Sequence, residues 1–236
     1  MITDFHSHIL PGIDDGSPDP AHSLQMLALS AEQGIRRMVA TPHFYPNYST
    51  PEAFLEARDR SLRQLQALMT PGLPEIIPGA EIYFFRGISD SEFLPALTIG
   101  ESRCVMIEMP PAPWPEEFYR ELEAIPAKQG LTPIIAHIDR YIRPFRTFSI
   151  PERLEELPVL VQANAEFFRN RKTANLALKL LKRDQIHLLG SDCHNLTDRK
   201  PDLADAVTVI QTKLGQSPLT QIEELEAEIF NCRVGS

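Results

Sequence analysis

The amino-acid sequence predicts an α/β fold in which a parallel sheet, covered by helices, closes or nearly closes into a barrel. Two observations predict it. Strand-length apolar stretches alternate with helix-length amphipathic ones through seven units, with no internal repeat and no composition break. Histidines and acidic residues gather where those strand stretches end, the side on which α/β barrels build their sites. The 236 residues suit one large domain, spanning 1–236. A doubly wound open sheet is the alternative architecture.

The elements follow in order. MITDF (1–5) is a first strand. A helix over 20–34 sets Leu24, Leu27 and Ala31 on one face and stops at Gly34. IRRMVA (35–40) is the second strand, and a longer helix over 51–69 carries Phe54, Leu62, Leu65 and Leu68 near helical spacing. The third strand, 75–84, is interrupted by Pro78-Gly79, and the fourth is 103–109. The helix over 115–130 contains Pro126, which predicts a kink or split. Strands over 133–137, 159–165 and 186–192 follow, with a helix at 172–184 before the last of them. Helices over 202–214 and 218–230 end the chain.

Composition narrows the function. A formal net charge of −9 argues against nucleic acid as the main partner, because phosphate backbones are bound chiefly by Lys and Arg. Cys104, Cys193 and Cys232 are too few and scattered for a disulfide framework, so a reducing compartment is expected. The start, MITDFHSH, lacks a basic region ahead of an apolar core. No apolar run approaches the ~20 residues a membrane-spanning helix needs. The expectation is a cytoplasmic protein without membrane insertion, its subunit number open.

The strongest signal is where polar residues fall. His6 and His8 follow the first strand, and His43 follows the second. Glu81 lies on the third, Glu108 ends the fourth and His137 ends the fifth. Asp192 and His194 end the seventh. Residues i and i+2 of a strand point the same way. His6 and His8 can therefore grip one ion, and Asp192 and His194 can do so from the far edge. These residues with one of Asp14 or Asp15 make nine ligands, too many for one tetrahedral ion and enough for two or three sharing carboxylates. Imidazole and carboxylate donors suit Zn, Mn, Fe, Co or Mg without ranking them. Four carboxylates against three divalent ions leave the site near about +2, and Arg140 and Arg199 add planar guanidinium forks, which suits a phosphate dianion. His22 and His187 fall outside the pattern and read as structural.

In order and spacing, HSHILPGIDDG, ATPHF, PGAEIY, PIIAHIDRY and SDCHN resemble the polymerase and histidinol phosphatase (PHP) superfamily. Within it, they are most similar to the bacterial metal-dependent protein tyrosine phosphatases of capsule and exopolysaccharide operons. The match runs from residue 2 to about 200. This resemblance implies a distorted (β/α)7 barrel of TIM type holding three divalent metal ions, commonly manganese. It implies a phosphotyrosine protein as substrate, namely a bacterial tyrosine kinase that governs polysaccharide chain length and export. Carried over by position, His6, His8, Glu81 and Asp192 hold the first metal. Glu81 bridges to a second, shared with Glu108 and His137. His43, His194 and Asp15, preferred to Asp14, hold the third. Arg140 and Arg199 match the phosphate-binding arginines. Glu108 stands where much of the superfamily has histidine. The ending EAEIFNCRVGS departs from the expected pattern and leaves the last helix without an assigned role.

The chemistry expected is attack of a metal-bridging hydroxide on the phosphotyrosine phosphorus, since divalent ions lower the pKa of bound water toward neutrality. Tyrosinate, with a phenol pKa near ~10, leaves without a strong general acid. CHNLTDR (193–199) also spells cysteine, five residues and arginine, the formal signature of cysteine-dependent tyrosine phosphatases. It lacks a glycine, Pro201 follows closely, and alternation turns Cys193 away if Asp192 and His194 face metal. The rivals are a histidinol-phosphate-like small-molecule phosphatase, a non-catalytic metal-binding module and an amidohydrolase-like hydrolase. Little room for lids favours a protein substrate over the first. The complete ligand set opposes the second, and the lack of a candidate bridging lysine on a middle strand opposes the third.

Overall fold

In a computed structural model, residues 2–142 and 149–231 are described; Met1 and Cys232 lie outside them. The strands are β1 Asp4–Ser7, β2 Arg37–Ala40, β3 His43–Phe44, β4 Glu75–Pro78, β5 Glu81–Tyr83, β6 Cys104–Glu108, β7 Thr132–Ile135, β8 Leu160–Asn164 and β9 Leu188–Gly190. The helices are α1 Pro20–Glu32, α2 Pro51–Gln66, α3 Glu116–Gln129, α4 Asp139–Ile142, α5 Ile150–Leu154, α6 Ala165–Arg169, α7 Ala174–Lys182, α8 Leu203–Leu214 and α9 Ser217–Asn231. Prolines open α1 and α2, where a missing N–H costs nothing, and Asp19 and Thr50 cap them by accepting from the amides of His22 and Ala53.

All strand pairs are parallel, in the orders β1-β2-β4 and β3-β5-β6-β7-β8-β9. The third sequence strand breaks in two at Gly79-Ala80, and the second, which ends at Ala40 as expected, is followed beyond Thr41-Pro42 by the short additional strand β3. Pro42 cannot donate to a ladder, which separates β3 from β2. Beyond β9, the Asp192 amide donates to the His6 carbonyl at 2.7 Å and the His8 amide donates to the Cys193 carbonyl at 2.9 Å. The parallel wall therefore curls until its first and last stretches meet.

Some boundaries differ from the sequence reading. α3 is one helix through Pro126, which lies in its last turn, where few backbone bonds remain to lose; Gly130, at φ 66°, ends it. The strand expected to run to 165 stops at Asn164, and Ala165 begins α6. The short helices α4 and α5 fill a stretch whose pattern predicts no element.

Burial follows the two faces of the wall. Phe5, Val39, Ile77, Met106, Ile134 and Leu188 form a cluster inside the curl. A larger cluster between strands and helices includes Met38, Ile107, Ile135 and Leu189. The inner cluster continues into α9 through Leu225, Ile229 and Phe230, with Phe230 stacked 5.4 Å from Phe5. That is the role of the last helix: it seals the apolar interior.

α9 also buries a carboxylate. Glu226 Oε2 accepts from the Thr3 amide at 2.9 Å, while Oε1 has no hydrogen-bond partner among the described residues. Burial is the main cause that pushes its pKa to about 8, with Glu223 adding to the rise and the Thr3 bond opposing it. The folded state thus binds a proton that the unfolded chain releases near the ordinary value of 4.5. The stability this proton confers is complete below about pH 4.5 and is lost as pH rises to about 8, at up to about 1.4 kcal/mol per pH unit. Thermal melts between pH 5 and 8.5 should show Glu226→Gln less pH-sensitive than the parent, and more stable above pH 8. Parallel curves for the two proteins would refute the assignment.

Candidate metal centre

The strand ends deliver their polar side chains to one place. Along β6, Cys104 and Met106 join the inner cluster, and alternation puts Glu108 on the same face at the strand end. β3 and β5 align His43 with Glu81. His137 and Asp192 lie two residues beyond β7 and β9 with φ of 33° and 53°, left-handed conformations that non-glycine residues adopt at a cost of order 1–3 kcal/mol. Both sit where the chain turns away from the sheet and their side chains join the cluster.

Glu81 is the hub. Its Oε2 lies 3.1 Å from His6 Nε2, 3.2 Å from His8 Nε2 and 3.1 Å from His43 Nδ1, and its Oε1 lies 2.7 Å from His137 Nε2. Glu108 flanks His43 and His137 at 3.8 and 3.7 Å. Asp192 Oδ1 is 3.6 Å from His6 Nε2, 3.5 Å from His8 Nε2 and 3.6 Å from His194 Nδ1. Asp15 Oδ1 is 3.5 Å from His43 Nε2 and 3.4 Å from His194 Nε2. Three overlapping groups each keep one donor atom per residue within 4.8 Å: His8, Asp15, His43 and His194; His6, His8 and Glu81; His43, Glu81 and Glu108. The structure brings all nine residues singled out in the sequence to one rim.

The donor set fits cations. Burial works against charge on Glu81 and Asp192, yet His6 and its neighbours hold both carboxyls well below the usual range. Burial likewise opposes charge on His6 and His8; the surrounding carboxylates, led by Glu81 for His6 and Asp14 for His8, raise both nonetheless. Burial and then Glu81 push Glu108 up. Burial lowers His43, and burial with His8 lowers His194 to about 4, so those two imidazoles stay neutral donors, while divalent ions would offset the clustered carboxylates without protons. Among the described residues, His43 Nδ1, Glu108 Oε2, His137 Nδ1 and His194 Nε2 are buried with no hydrogen-bond partner. Unmet buried polar atoms are rare in folded proteins, and three of these, His43 Nδ1, Glu108 Oε2 and His194 Nε2, lie toward neighbouring donor atoms of the rim, as ligand atoms would.

The adjacent acids part company. Asp14 has a side chain only 5% exposed; its Oδ2 is 2.7 Å from His8 Nδ1 and accepts from the His43 amide at 3.1 Å. Asp15, 66% exposed, reaches instead to His43 and His194. Arg140 donates to Asp192 Oδ2, and Arg199 donates to Asp192 Oδ1 at 2.8 Å. Both guanidiniums remain about one-third exposed, at 38% and 34%. Cys193 is fully buried, and burial pushes its thiol well above the ordinary range, which removes it as a nucleophile. His22 is exposed, and His187 Nδ1 accepts from the Val161 amide away from the rim.

Three supporting residues escape the sequence reading. Gln162 Oε1 accepts from the His137 amide at 2.6 Å and lies 3.2 Å from His6 Nδ1. Asn164 donates to Asp192 Oδ2 at 3.0 Å. Asp4 accepts from the Ser191 amide and hydroxyl at 2.8 and 2.6 Å, tying β1 to the Asp192 turn. Gln162 and Asn164 alternate at the end of an apolar strand, the same i, i+2 signal that exposes His6 and His8.

The capsular polysaccharide synthesis family CpsB/CapC matches residues 2–228. The chain belongs to that family. It is 30% identical to the tyrosine-protein phosphatase YwqE of Bacillus subtilis (strain 168), over 98% of this chain and 92% of YwqE. It is 30% identical to the tyrosine-protein phosphatase CpsB of Streptococcus pneumoniae, over 91% of each. Crystal structures of YwqE and CpsB are described as those of unique metal-dependent tyrosine phosphatases, and the match to them has a TM-score of 0.84 at 26% identity, covering 99% of this chain and 96% of that one. A dihydropyrimidinase from Brevibacillus agri shares the fold alone, with a TM-score of 0.52 at 11% identity over 93% of this chain and 67% of its own. Family membership agrees with the α/β architecture and parallel curled sheet described above. No helix among the described residues is long and apolar enough to cross a membrane.

Proposed function

We propose that this family member is a metal-dependent protein tyrosine phosphatase, acting in the cytoplasm on a tyrosine kinase that controls capsule or exopolysaccharide synthesis. The chain is one domain over 1–236, a distorted (β/α)7 barrel in which β2 with β3, and β4 with β5, each count as one stave. The observation that carries the reading is Glu81 ringed by four imidazoles, with two partly exposed arginines on the neighbouring Asp192.

His6, His8, Glu81 and Asp192 would hold a first ion, Glu81, Glu108 and His137 a second, and His43, His194 and Asp15 a third, with manganese the expected metal. When bound, the ions supply acidified water and neutralise charge on the phosphoryl group. The protein's own groups do the rest. Asp14 holds His8 Nδ1 and Gln162 meets His6 Nδ1, which fixes both Nε2 atoms toward Glu81. Arg140 and Arg199 present guanidinium forks to the phosphate oxygens and orient the phosphorus. The leaving phenol needs little proton transfer, so no acid is assigned to it.

Treating the protein with a chelator should abolish hydrolysis of a phosphotyrosine peptide, and added Mn²⁺ should restore it. Activity that survives complete metal removal, or a preference for histidinol phosphate over the peptide, would overturn the reading.

A further inference from the structure

A site built of cations and guanidiniums reads the phosphoryl group, which phosphoserine and phosphotyrosine share. Discrimination must come from side chains that touch the rest of the substrate. Two aromatic rings lie against ligand imidazoles among the described residues: Tyr141 on His137 and Tyr45 on His43. Tyr141 is buried and its hydroxyl accepts from the Met109 amide at 2.8 Å, so no substrate reaches it. Tyr45 is half-buried. Its ring centre is 5.3 Å from that of His43, with 28° between the planes. Tyr83 stands 5.6 Å behind it, and Tyr48, 89% exposed, meets it edge-on at 6.2 Å. These spacings lie within the range of favourable aromatic pairs. The three rings are thus assembled before a substrate arrives, beside the imidazole of His43, with Tyr45 and Tyr83 half-buried and Tyr48 open to solvent. A lone exposed tyrosine needs no explanation; a tyrosine packed on His43 and joined by two further tyrosines does.

We propose that Tyr45, backed by Tyr83 and extended by Tyr48, is the wall on which the phenyl ring of phosphotyrosine stacks, and that this wall makes the site select aryl over alkyl phosphate monoesters. The inference rests on the phosphatase reading above. Burial of one face of a phenyl ring with one favourable stack is worth about tenfold in binding. Tyr45 is here a specificity residue: its ring, not its hydroxyl, does the selecting.

Steady-state kinetics on the manganese-loaded protein test this, using a phosphotyrosine peptide as substrate, with the matching phosphoserine peptide and inorganic phosphate as competing ligands. Tyr45→Ala should raise KM for the phosphotyrosine peptide about tenfold. It should leave the Ki of the phosphoserine peptide and of inorganic phosphate within about twofold, with metal content unchanged. Tyr45→Phe should bring the KM back. If Tyr45→Ala shifts KM and both Ki values together, or sheds metal, the residue merely supports His43 and the wall is refuted. A parent preference for the phosphotyrosine peptide that Tyr45→Ala leaves intact also refutes the wall, and leaves the phosphatase reading standing. A parent protein that does not hydrolyse the phosphotyrosine peptide at all removes that reading and the wall with it.

Discussion

Glu81→Gln is expected to lose bound metal and to hydrolyse phosphotyrosine about a thousandfold more slowly, or worse. The physical reason is the number of imidazoles that share this one group. Oε2 sits within 3.2 Å of nitrogens from His6, His8 and His43, and Oε1 within 2.7 Å of His137. A carboxylate offers lone pairs on both oxygens; an amide keeps one oxygen and points an N–H₂ donor at whatever faces the other. Either orientation of the substituted amide aims that donor at a ligand nitrogen and at any cation beside it. The substitution also removes one negative charge from a fully buried position where four carboxylates balance the cations. The backbone pairing of β5 with β3 and β6 does not involve the side chain, so the fold should survive. Elemental analysis, circular dichroism and single-turnover hydrolysis, made on the same preparation, separate the effects: metal and activity fall while the spectrum holds. A Glu81→Gln protein carrying its full metal complement and turning over at the parent rate would falsify the hub assignment.

The candidate ligands are legible in the sequence because the chemistry is expressed as strand-end spacing. His6 with His8 and Asp192 with His194 are each two apart, and Glu108 ends an apolar run, so spacing groups them at the strand ends, although β1 shifts register between Asp4 and Ser7 and Phe5 also joins the inner cluster. The acid of the DDG turn was harder. Asp14 and Asp15 are adjacent, and a turn has no period to say which faces the rim; only the three-dimensional path shows Asp14 locked on His8 and Asp15 reaching His43 and His194. Gln162 and Asn164 carry the spacing signal without a ligand's residue type, so chemistry gave no reason to notice them. Tyr45 carries no signal at all, since its position depends on how β3 meets β5. The fold shows the same division. Long amphipathic segments were recognisable, whereas α4, α5 and α6, at 4 and 5 residues, are too short for a 3.6-residue period to emerge. The role of α9 depends on Phe230 meeting Phe5, a contact across nearly the whole chain that local pattern cannot report.

Gly190→Ala should cost more than a methyl group normally does. Gly190 ends β9, directly against β1, where the two edges of the wall come together below the metal rim. A Cβ there would lie 2.6 Å from His6 Cβ, 2.9 Å from the His6 backbone nitrogen and 2.8 Å from Gln162 Nε2. Gln162 can swing aside, but its oxygen would then leave the His137 amide and His6 Nδ1. The His6 backbone cannot swing: it belongs to β1 and accepts the Asp192 amide through its carbonyl. The strand edges must therefore separate by several tenths of an ångström. Overpacking of this kind costs about 1–3 kcal/mol. Because His6 and Asp192 stand on the two separating edges, the same movement spreads the ligand set, and misplacement on the scale of an ångström costs about a hundredfold in rate. The expected result is a lowered melting temperature together with weakened metal binding and a loss of turnover that excess Mn²⁺ only partly recovers. An alanine variant that melts and binds metal as the parent does would mean that β9 and β1 are not held this tightly, and the meeting of first and last strands would have to be redrawn.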